Sequence, residues 1–458
     1  MKKILILSTA VLLTACGIYK PYNRPDDIRT DGLYGDIETS GEASLGDWSW
    51  REVFTDPQLQ ALIELGLTNN TDLRAAHLRV EEAQATLTSA RLAYLPSFNL
   101  APQGAISSFD GSKATKTYNI PLAASWEIDI FAGLTNAKRR AKALYEQSQA
   151  YEQAVRTQLI AGIANLYYTL LMLDSQYEVS REMADKWIES VDKMRAMKEA
   201  GMANEAAVAQ YEGNSLSVQA SLQDIVYSIR QVENTLATLL GETPHAIARG
   251  RLDAQQLPDE LLVGVPVQLL ANRPDVRAAE YSLATAYYAT ASARSALYPK
   301  ITLSGTAGWT NSAGSMIVNP GKLLLSAAGS LAMPIFNARA GRARVKIAKA
   351  QQEEAKLAFQ QTLLNAGAEV NNALMQCQTA RAKGLLRAQQ IEALERAEMS
   401  TELLMQYTPT TYLEVLTARQ SLLAARLSQI GDRLDEIQGV ITLYQALGGG
   451  RDLTTAEN

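Results

Sequence analysis

The side chains that could do chemistry are few. The 458-residue chain has two histidines and two cysteines, and each stands alone: His77 in "DLRAAHLRV", His245 in the turn-like "GETPHAIA", Cys377 in "NNALMQCQTA", and Cys16 near the start. No His/Cys cluster has metal-ligand spacing, and there is neither a nucleophile elbow nor a phosphate-binding glycine loop. Both histidines read as surface or turn residues. Met194, Met197 and Met202 could ligate a soft metal, but unbranched, polarisable side chains at this spacing read better as filler between helices. Cys377 reads as a small apolar packing residue, and with Cys16 otherwise engaged no intrachain disulfide forms. An enzyme is therefore the least supported class, and no cofactor is implied.

Only Cys16 has a setting that points to covalent chemistry. Met1, Lys2 and Lys3 are a short basic region, 4–13 is an apolar run, and Leu13-Thr14-Ala15 is a small-residue ending. Residues 1–15 therefore read as a secretory signal, too short to be a spanning helix. Leu13-Thr14-Ala15-Cys16 resembles the bacterial lipobox, which implies a diacylglycerol on the thiol, cleavage before Cys16 and acylation of the new amine. Several acyl chains make a stable anchor where a single one is marginal. Gly17, in place of an aspartate, leans the sorting toward the outer membrane. An ordinary cleaved signal with an incidental cysteine is the plainer alternative. Residues 16–56 follow as a lipid-anchored N-terminal segment.

The elements that must serve this anchored chain show in its composition and repeats. Hydrophobic residues make up 47% of the chain, which excludes disorder. There are 43 basic and 48 acidic side chains; without Lys2 and Lys3 the balance is 41 − 48 = −7. A mildly acidic chain with no basic tract gives nucleic acid no footing. Residues 72–100, "DLRAAHLRVEEAQATLTSARLAYLPSFNL", lie without a gap over 275–303, "DVRAAEYSLATAYYATASARSALYPKITL". Further on, Ile130-Phe131 lies over Ile335-Phe336 and Gly162 over Gly367, so two residues have been inserted in the second copy. The chain is internally duplicated.

Proline marks the boundaries of the elements. Repeat 1, over 57–240, is predicted as a helix 57–94, a β-hairpin 96–131, a long helix 136–200 and a helix 204–240. A linker over 241–262 leads to repeat 2, over 263–447: helix 264–297, β-hairpin 299–336, long helix 341–406 and helix 410–447. A tail over 448–458 ends the chain. The first long helix would run about 98 Å at 1.5 Å per residue, so it needs a coiled-coil-like partner along its length. Apolar residues at 3-4 spacing supply the seam. They run from Leu159 and Ile163 to Val191 and Met194, then from Val208 and Tyr211 to Leu236 and Leu239, and again 205 residues later from Leu413 and Leu416 to Ile441 and Tyr444. The polar exception falls at the same place in both copies, Ser215 or Gln420.

In "TYNIPLAASWEIDIF", Tyr118, Ile120, Leu122, Ala124, Trp126, Ile128 and Ile130 alternate with more polar residues. This period of two outruns the nine to eleven residues a strand needs to cross a bilayer. Three further strands are less regular, in "PSFNLAPQGAISS", "PKITLSGTAGWT" and "GKLLLSAAGSLAMPIF". A sheet in lipid must close, and four strands cannot. If these hairpins cross the membrane, several chains share one barrel; two soluble hairpins packed on the helices are the alternative.

The chain resembles the TolC-like outer membrane factor family, specifically the NodT-type lipoproteins of tripartite, RND-type efflux systems. The likeness rests on Leu13-Thr14-Ala15-Cys16, Pro21-Tyr22-Asn23-Arg24-Pro25, Phe54-Thr55-Asp56-Pro57, Ser125-Trp126-Glu127-Ile128-Asp129-Ile130-Phe131, Arg273-Pro274-Asp275-Val276 and Leu443-Tyr444-Gln445-Ala446-Leu447-Gly448-Gly449-Gly450. It implies a mainly α fold with membrane β: a homotrimer of twelve strands and a twelve-helix tunnel. It also implies an outer-membrane exit duct for small molecules, working with a periplasmic adaptor and an inner-membrane pump, with no cofactor beyond lipid on Cys16.

The resemblance further implies adaptor contact at the hairpin turns, Gly201, Met202, Ala203 and Asn204 in one copy and Tyr407, Thr408, Pro409 and Thr410 in the other. Leu413 and Thr417 fall where the family often places an apolar and an acidic gate residue. Threonine departs from that pattern, so a charged gate would draw on Glu414, Arg419 or Glu212. A protein-secretion duct, or a lipid-anchored periplasmic scaffold or adaptor, remains the alternative, and the exported substrate is not legible.

Overall fold

The computed structural model describes residues 19–28, 30–35, 41, 43–258, 261–313, 316–407 and 412–451. The expected signal and Cys16, most of the expected tail and the turn residues Thr408, Pro409 and Thr410 lie outside them. The main elements are α1 (Pro57–Asn69), α2 (Thr71–Leu92), β1 (Ser97–Leu100), β2 (Gln103–Ser107), β3 (Thr115–Ile128), α3 (Gly133–Glu199) and α4 (Glu205–Leu239). Then come α5 (Pro274–Ser295), β4 (Lys300–Ala313), β5 (Met316–Ala332), α6 (Ala340–Tyr407) and α7 (Tyr412–Ala446). Among the described residues no helix is long and apolar enough to cross a membrane.

Two compact units result, and they do not follow the repeats. One gathers the N-terminal segment with His77–Ala150 and Arg277–Thr362; the other gathers Thr30–Ala76, Tyr151–Val276 and Leu363–Asn458. Each unit is thus assembled from matching parts of both copies.

In the first unit the strands form one antiparallel sheet in the order β1-β3-β4-β5, with β2 also paired to β3. β1 and β2 occupy the same edge of β3 in the same register, Leu100 opposite Leu122 and Gln103 opposite Asn119. The sheet therefore has four strand positions. The gap between β1 and β2 falls at Ala101-Pro102, opposite Ile120-Pro121, where neither proline has an N–H to donate. Ala101 still donates to the Pro121 carbonyl at 3.2 Å. Where the sheet meets α3, the Asp129 carboxylate accepts from Leu134 N (3.0 Å), Thr135 N (2.8 Å) and Thr135 Oγ1 (2.6 Å). This cap starts α3 at Gly133 rather than at the expected residue 136. The Trp126 indole donates to the Tyr94 carbonyl at 2.9 Å. The N-terminal segment is tied down by a two-point ion pair, Arg24 to Glu280 at 2.8 and 2.7 Å, and by Lys356 with Asp27.

In the second unit the helix expected over 57–94 is interrupted at Asn70. Its side-chain oxygen accepts from Leu73 N at 2.9 Å, capping α2, while its amide donates to the Leu239 carbonyl at 2.9 Å. The start expected at 264 is likewise broken into short turns before α5, which begins at Pro274 because the residue before a proline is pushed out of helical geometry. Tyr167 donates to Asp56 at 2.6 Å, and Gln255 donates to the same carboxylate at 2.9 Å. Farther along, Met183, Trp187, Val191, Met194, Ala207, Val208, Tyr211 and Leu416 form one buried cluster, so α3, α4 and α7 share a core. Met194 is core filler there while Met202 is exposed, which removes the methionine triad as a ligand set.

Cys377 is buried without a disulfide and faces Gly439, where a Cβ would stand 2.7 Å from its Sγ. Burial pushes its thiol up to about 11. At pH 8 its thiolate fraction falls to about 1% of that of an unperturbed cysteine. Maleimide labelling of the native chain at pH 8 is therefore expected to be at least about 100-fold slower than that of the denatured chain. Equal rates, followed by mass spectrometry, would contradict this buried position.

Candidate functional site

Two regions can carry a transport function: the sheet of the first unit and the hairpin ends of the second. In the sheet, register sorts most side chains by polarity, with Leu324 on the polar face and Lys116 on the apolar one as exceptions. Residues opposite one another share a face, which places Ile120, Trp309 and Leu323 together, then Leu100, Leu122 and Leu325, then Trp126 and Leu303, then Ile128, Ile301 and Leu331. Most of these large apolar side chains stand exposed, Leu325 and Leu331 each at 69%. The opposite face carries Ser97, Asn99, Asn119, Ser125, Thr302, Ser304, Thr306, Thr310, Ser326 and Ser330. β3 has 14 residues, enough for a tilted strand to cross a bilayer.

An apolar face of this extent has no place in water. The outer edges of β1/β2 and β5 pair with no other described strand, so the sheet is unfinished on both sides as well.

In the second unit the turn between α3 and α4 is closed by backbone and charge. Gly201 has a φ of +76°, in the left-handed region. Its N–H donates to the Lys198 carbonyl at 2.9 Å and that of Met202 donates to Met197 at 2.8 Å, the two bonds that end a helix on a glycine. Asn204 caps α4, accepting from Ala207 N at 2.8 Å. Arg195 bonds Glu212 at 2.7 Å across the hairpin, an ion pair that raises the guanidinium above its ordinary value, and Lys198 pairs with Glu205. Gly201, Met202 and Asn204 are exposed.

Of the expected gate residues, Leu413, Glu414 and Thr417 lie exposed along one side of α7, and the Thr417 hydroxyl donates back to the Leu413 carbonyl at 2.9 Å. Arg419 is placed differently. It is buried, its guanidinium holds Glu398 at 3.0 Å and Glu402 at 3.1 Å, and it also bonds the Ser190 hydroxyl. It joins α3, α6 and α7 and offers no free charge to a gate. Glu212 is likewise engaged, by Arg195. Nearby, Tyr211 donates to the Tyr412 carbonyl at 3.0 Å, and burial raises its hydroxyl to about 12.

Glu398 and Glu402 were not singled out from sequence. Their signal was two carboxylates one helical turn apart on α6, facing an arginine that interrupts an apolar seam. Among the described residues no group of His, Cys, Asp or Glu could hold a metal ion.

A family model described as outer membrane efflux protein matches residues 62–242 and again 265–449, one match to each copy of the repeat. The chain is similar to the cation efflux system protein CusC of Escherichia coli, at 28% identity over 98% of both chains. It is also similar to the pyoverdine export outer membrane protein OpmQ of Pseudomonas aeruginosa, at 30% identity over 98% of this chain and 97% of that one. Among solved structures, the outer-membrane channel OprN superposes with a TM-score of 0.84 at 26% identity, over 94% of this chain and 98% of its own.

Removing the Arg419 side chain strands two carboxylates against a buried hydroxyl. The cost is expected at about 2 kcal/mol, below that of a fully buried pair because Glu402 is more than a third exposed. Arg419→Ala should therefore speed amide hydrogen exchange where α3, α6 and α7 meet by about 30-fold, with no change at α1. Unaltered exchange at that junction would show that the pairing contributes nothing.

Proposed function

We propose, from the premise that this chain belongs to the outer membrane efflux protein family, that three copies close one twelve-stranded barrel and form the exit duct of a tripartite efflux system. The observation that carries the proposal is the unfinished sheet: four strand positions, two open edges and one exposed apolar face. Unpaired backbone groups in hydrocarbon cost several kcal/mol each, so a spanning sheet must close, and four positions are too few. Three chains give twelve. The apolar face meets lipid and the hydroxyl-rich face lines the pore.

The chain is an outer-membrane efflux duct. Its energy comes from elsewhere, because a passive pore moves solute only down a gradient. A periplasmic adaptor engaging the turn at Gly201 to Asn204 and its counterpart near Tyr407, and an inner-membrane pump of the RND type, complete the system in this reading. Leu413, Glu414 and Thr417 form the gate, and a lipid on Cys16 anchors the chain. The relatives' names attach cations to one protein and pyoverdine to another, so family membership leaves the cargo open. The same architecture could serve protein secretion. A lipid-anchored scaffold is disfavoured by the exposed leucines and tryptophans of the sheet.

The test is direct. Purified in detergent, the mature chain is expected as a trimer that conducts ions in a planar bilayer, and a strain lacking it and any redundant duct should accumulate dyes, antibiotics or metals. A water-soluble monomer, intact after its acyl chains are removed, would overturn the proposal.

A further inference from the structure

The five strands contain four charged residues in all: Lys116, Glu127, Lys300 and Lys322. Register separates them. Lys116 lies opposite Ile106, on the face of Tyr118, Ile120 and Leu122, which is the lipid side. Glu127 and Lys300 share the polar face and pair at 3.4 Å. Lys322 lies opposite Thr310, itself opposite Asn119, so it also belongs to the polar face. An independent feature agrees: a Cβ on the preceding residue, Gly321, would run into the Tyr118 ring and hydroxyl, so position 321 faces the lipid side and 322 the other. Lys322 is exposed, and no carboxylate stands within ion-pair reach of it among the described residues. The loop over 108–114 carries Asp110 and Lys113, which balance.

We infer that Lys322, repeated three times around the barrel, makes the membrane section of the duct favour anionic over cationic solutes. The inference rests on the trimeric barrel proposed above. Twelve strands about 4.8 Å apart, tilted by about 40°, enclose a pore of roughly 12 Å backbone radius. A lysine side chain reaching inward places each ammonium about 8 Å from the axis. Three such charges in water, screened at 0.1 M salt, enrich anions on the axis about threefold, and at 1 M the enrichment falls close to one. The rest of the polar face is hydroxyl, amide and small apolar side chains and Leu324, with one ion pair that cancels itself. Nothing else on it opposes or reinforces the lysine ring. The solute class suited to this exit is a carboxylate, phosphate or other anion, or a neutral molecule; a bare metal cation crosses it against the field.

The test compares full-length chains in planar bilayers under a potassium chloride gradient: the natural chain, Lys322→Gln, Lys322→Glu, Lys322→Arg and Lys116→Gln. Charges elsewhere in the duct are the same in the natural chain and the three Lys322 variants, so differences among these report position 322. The chloride-to-potassium permeability ratio at 0.1 M is expected to fall about ninefold in Lys322→Gln, because the field that enriches anions threefold depletes potassium threefold, and further in Lys322→Glu. It should hold in Lys322→Arg and in Lys116→Gln, and the differences should collapse at 1 M. Equal ratios in the natural chain, Lys322→Gln and Lys322→Glu at 0.1 M overturn the inference. So does a shift seen with Lys116→Gln but not with Lys322→Gln, which would mean that the faces are reversed. Trimers that never conduct, the natural chain included, overturn the barrel reading itself and with it this inference.

Discussion

Backbone groups at the edges of a sheet must find partners, and in this protein the outer edges of β1/β2 and β5 find none within the described chain. In water such edges are a hazard that proteins blunt with charge, bulges or cover. Here the strands are nearly uncharged and flat leucine runs stand exposed. The combination is tolerable only in lipid and only on closure. Lipid then asks for an apolar outer face, closure asks for identical copies, and an enclosed polar face becomes a pore. Duplication within the chain supplies two hairpins per copy, which lowers the number of copies needed.

The helical unit solves a related problem by different means. Very long helices are stable only with a partner along their length, and α3, α4, α6 and α7 supply one another with seams. Their polar interruptions are paired rather than random. Gln420, the exception in the second seam, donates to Asn214 at 2.6 Å, and Asn214 is the neighbour of Ser215, the exception in the first. Ser215 itself is buried and accepts from Gln219 of its own helix at 3.1 Å, while the exposed Gln420–Asn214 bond links α7 to α4. Arg419 is a buried interruption of α7 on which Ser190, Glu398 and Glu402 converge.

Periodicity made much of this legible before any coordinates. The alternation from Tyr118 to Ile130 exposed β3 and its two faces, and the 3-4 spacing exposed the paired helices, because both patterns follow from which side chains meet water. What stayed hidden was decided by single partners distant in sequence. Asn70 ends one helix and begins another because Leu239 offers a carbonyl 169 residues away. Arg419 looked like a free charge near a helix start, yet its carboxylates lie on α6. The gap between β1 and β2 was written in Pro102 and Pro121, but only the register sets Pro102 opposite Ile120 and Pro121 opposite Ala101. Lys322 could have been assigned to a face by counting from Leu323 and Leu325, had the strand been regular enough to trust.

A duct that binds its cargo well is a poor duct, since conduction needs entry without capture. The pore face of this sheet meets that requirement through what it is made of. Serine, threonine, asparagine and alanine side chains make up most of it, beside Lys322, the Glu127–Lys300 pair and Leu324, so a passing solute finds mainly hydrogen-bonding groups no stronger than water and no aromatic platform on which to stack. Apart from Leu324, opposite Gly308, the large apolar and aromatic side chains of the described strands lie on the other face. In the proposed assembly, selection among solutes falls to the pump, where binding and energy are available, while the exit contributes only width and field. This division explains how one fold serves relatives named for a cation and for pyoverdine: the sheet constrains the membrane it sits in far more tightly than the molecule it releases.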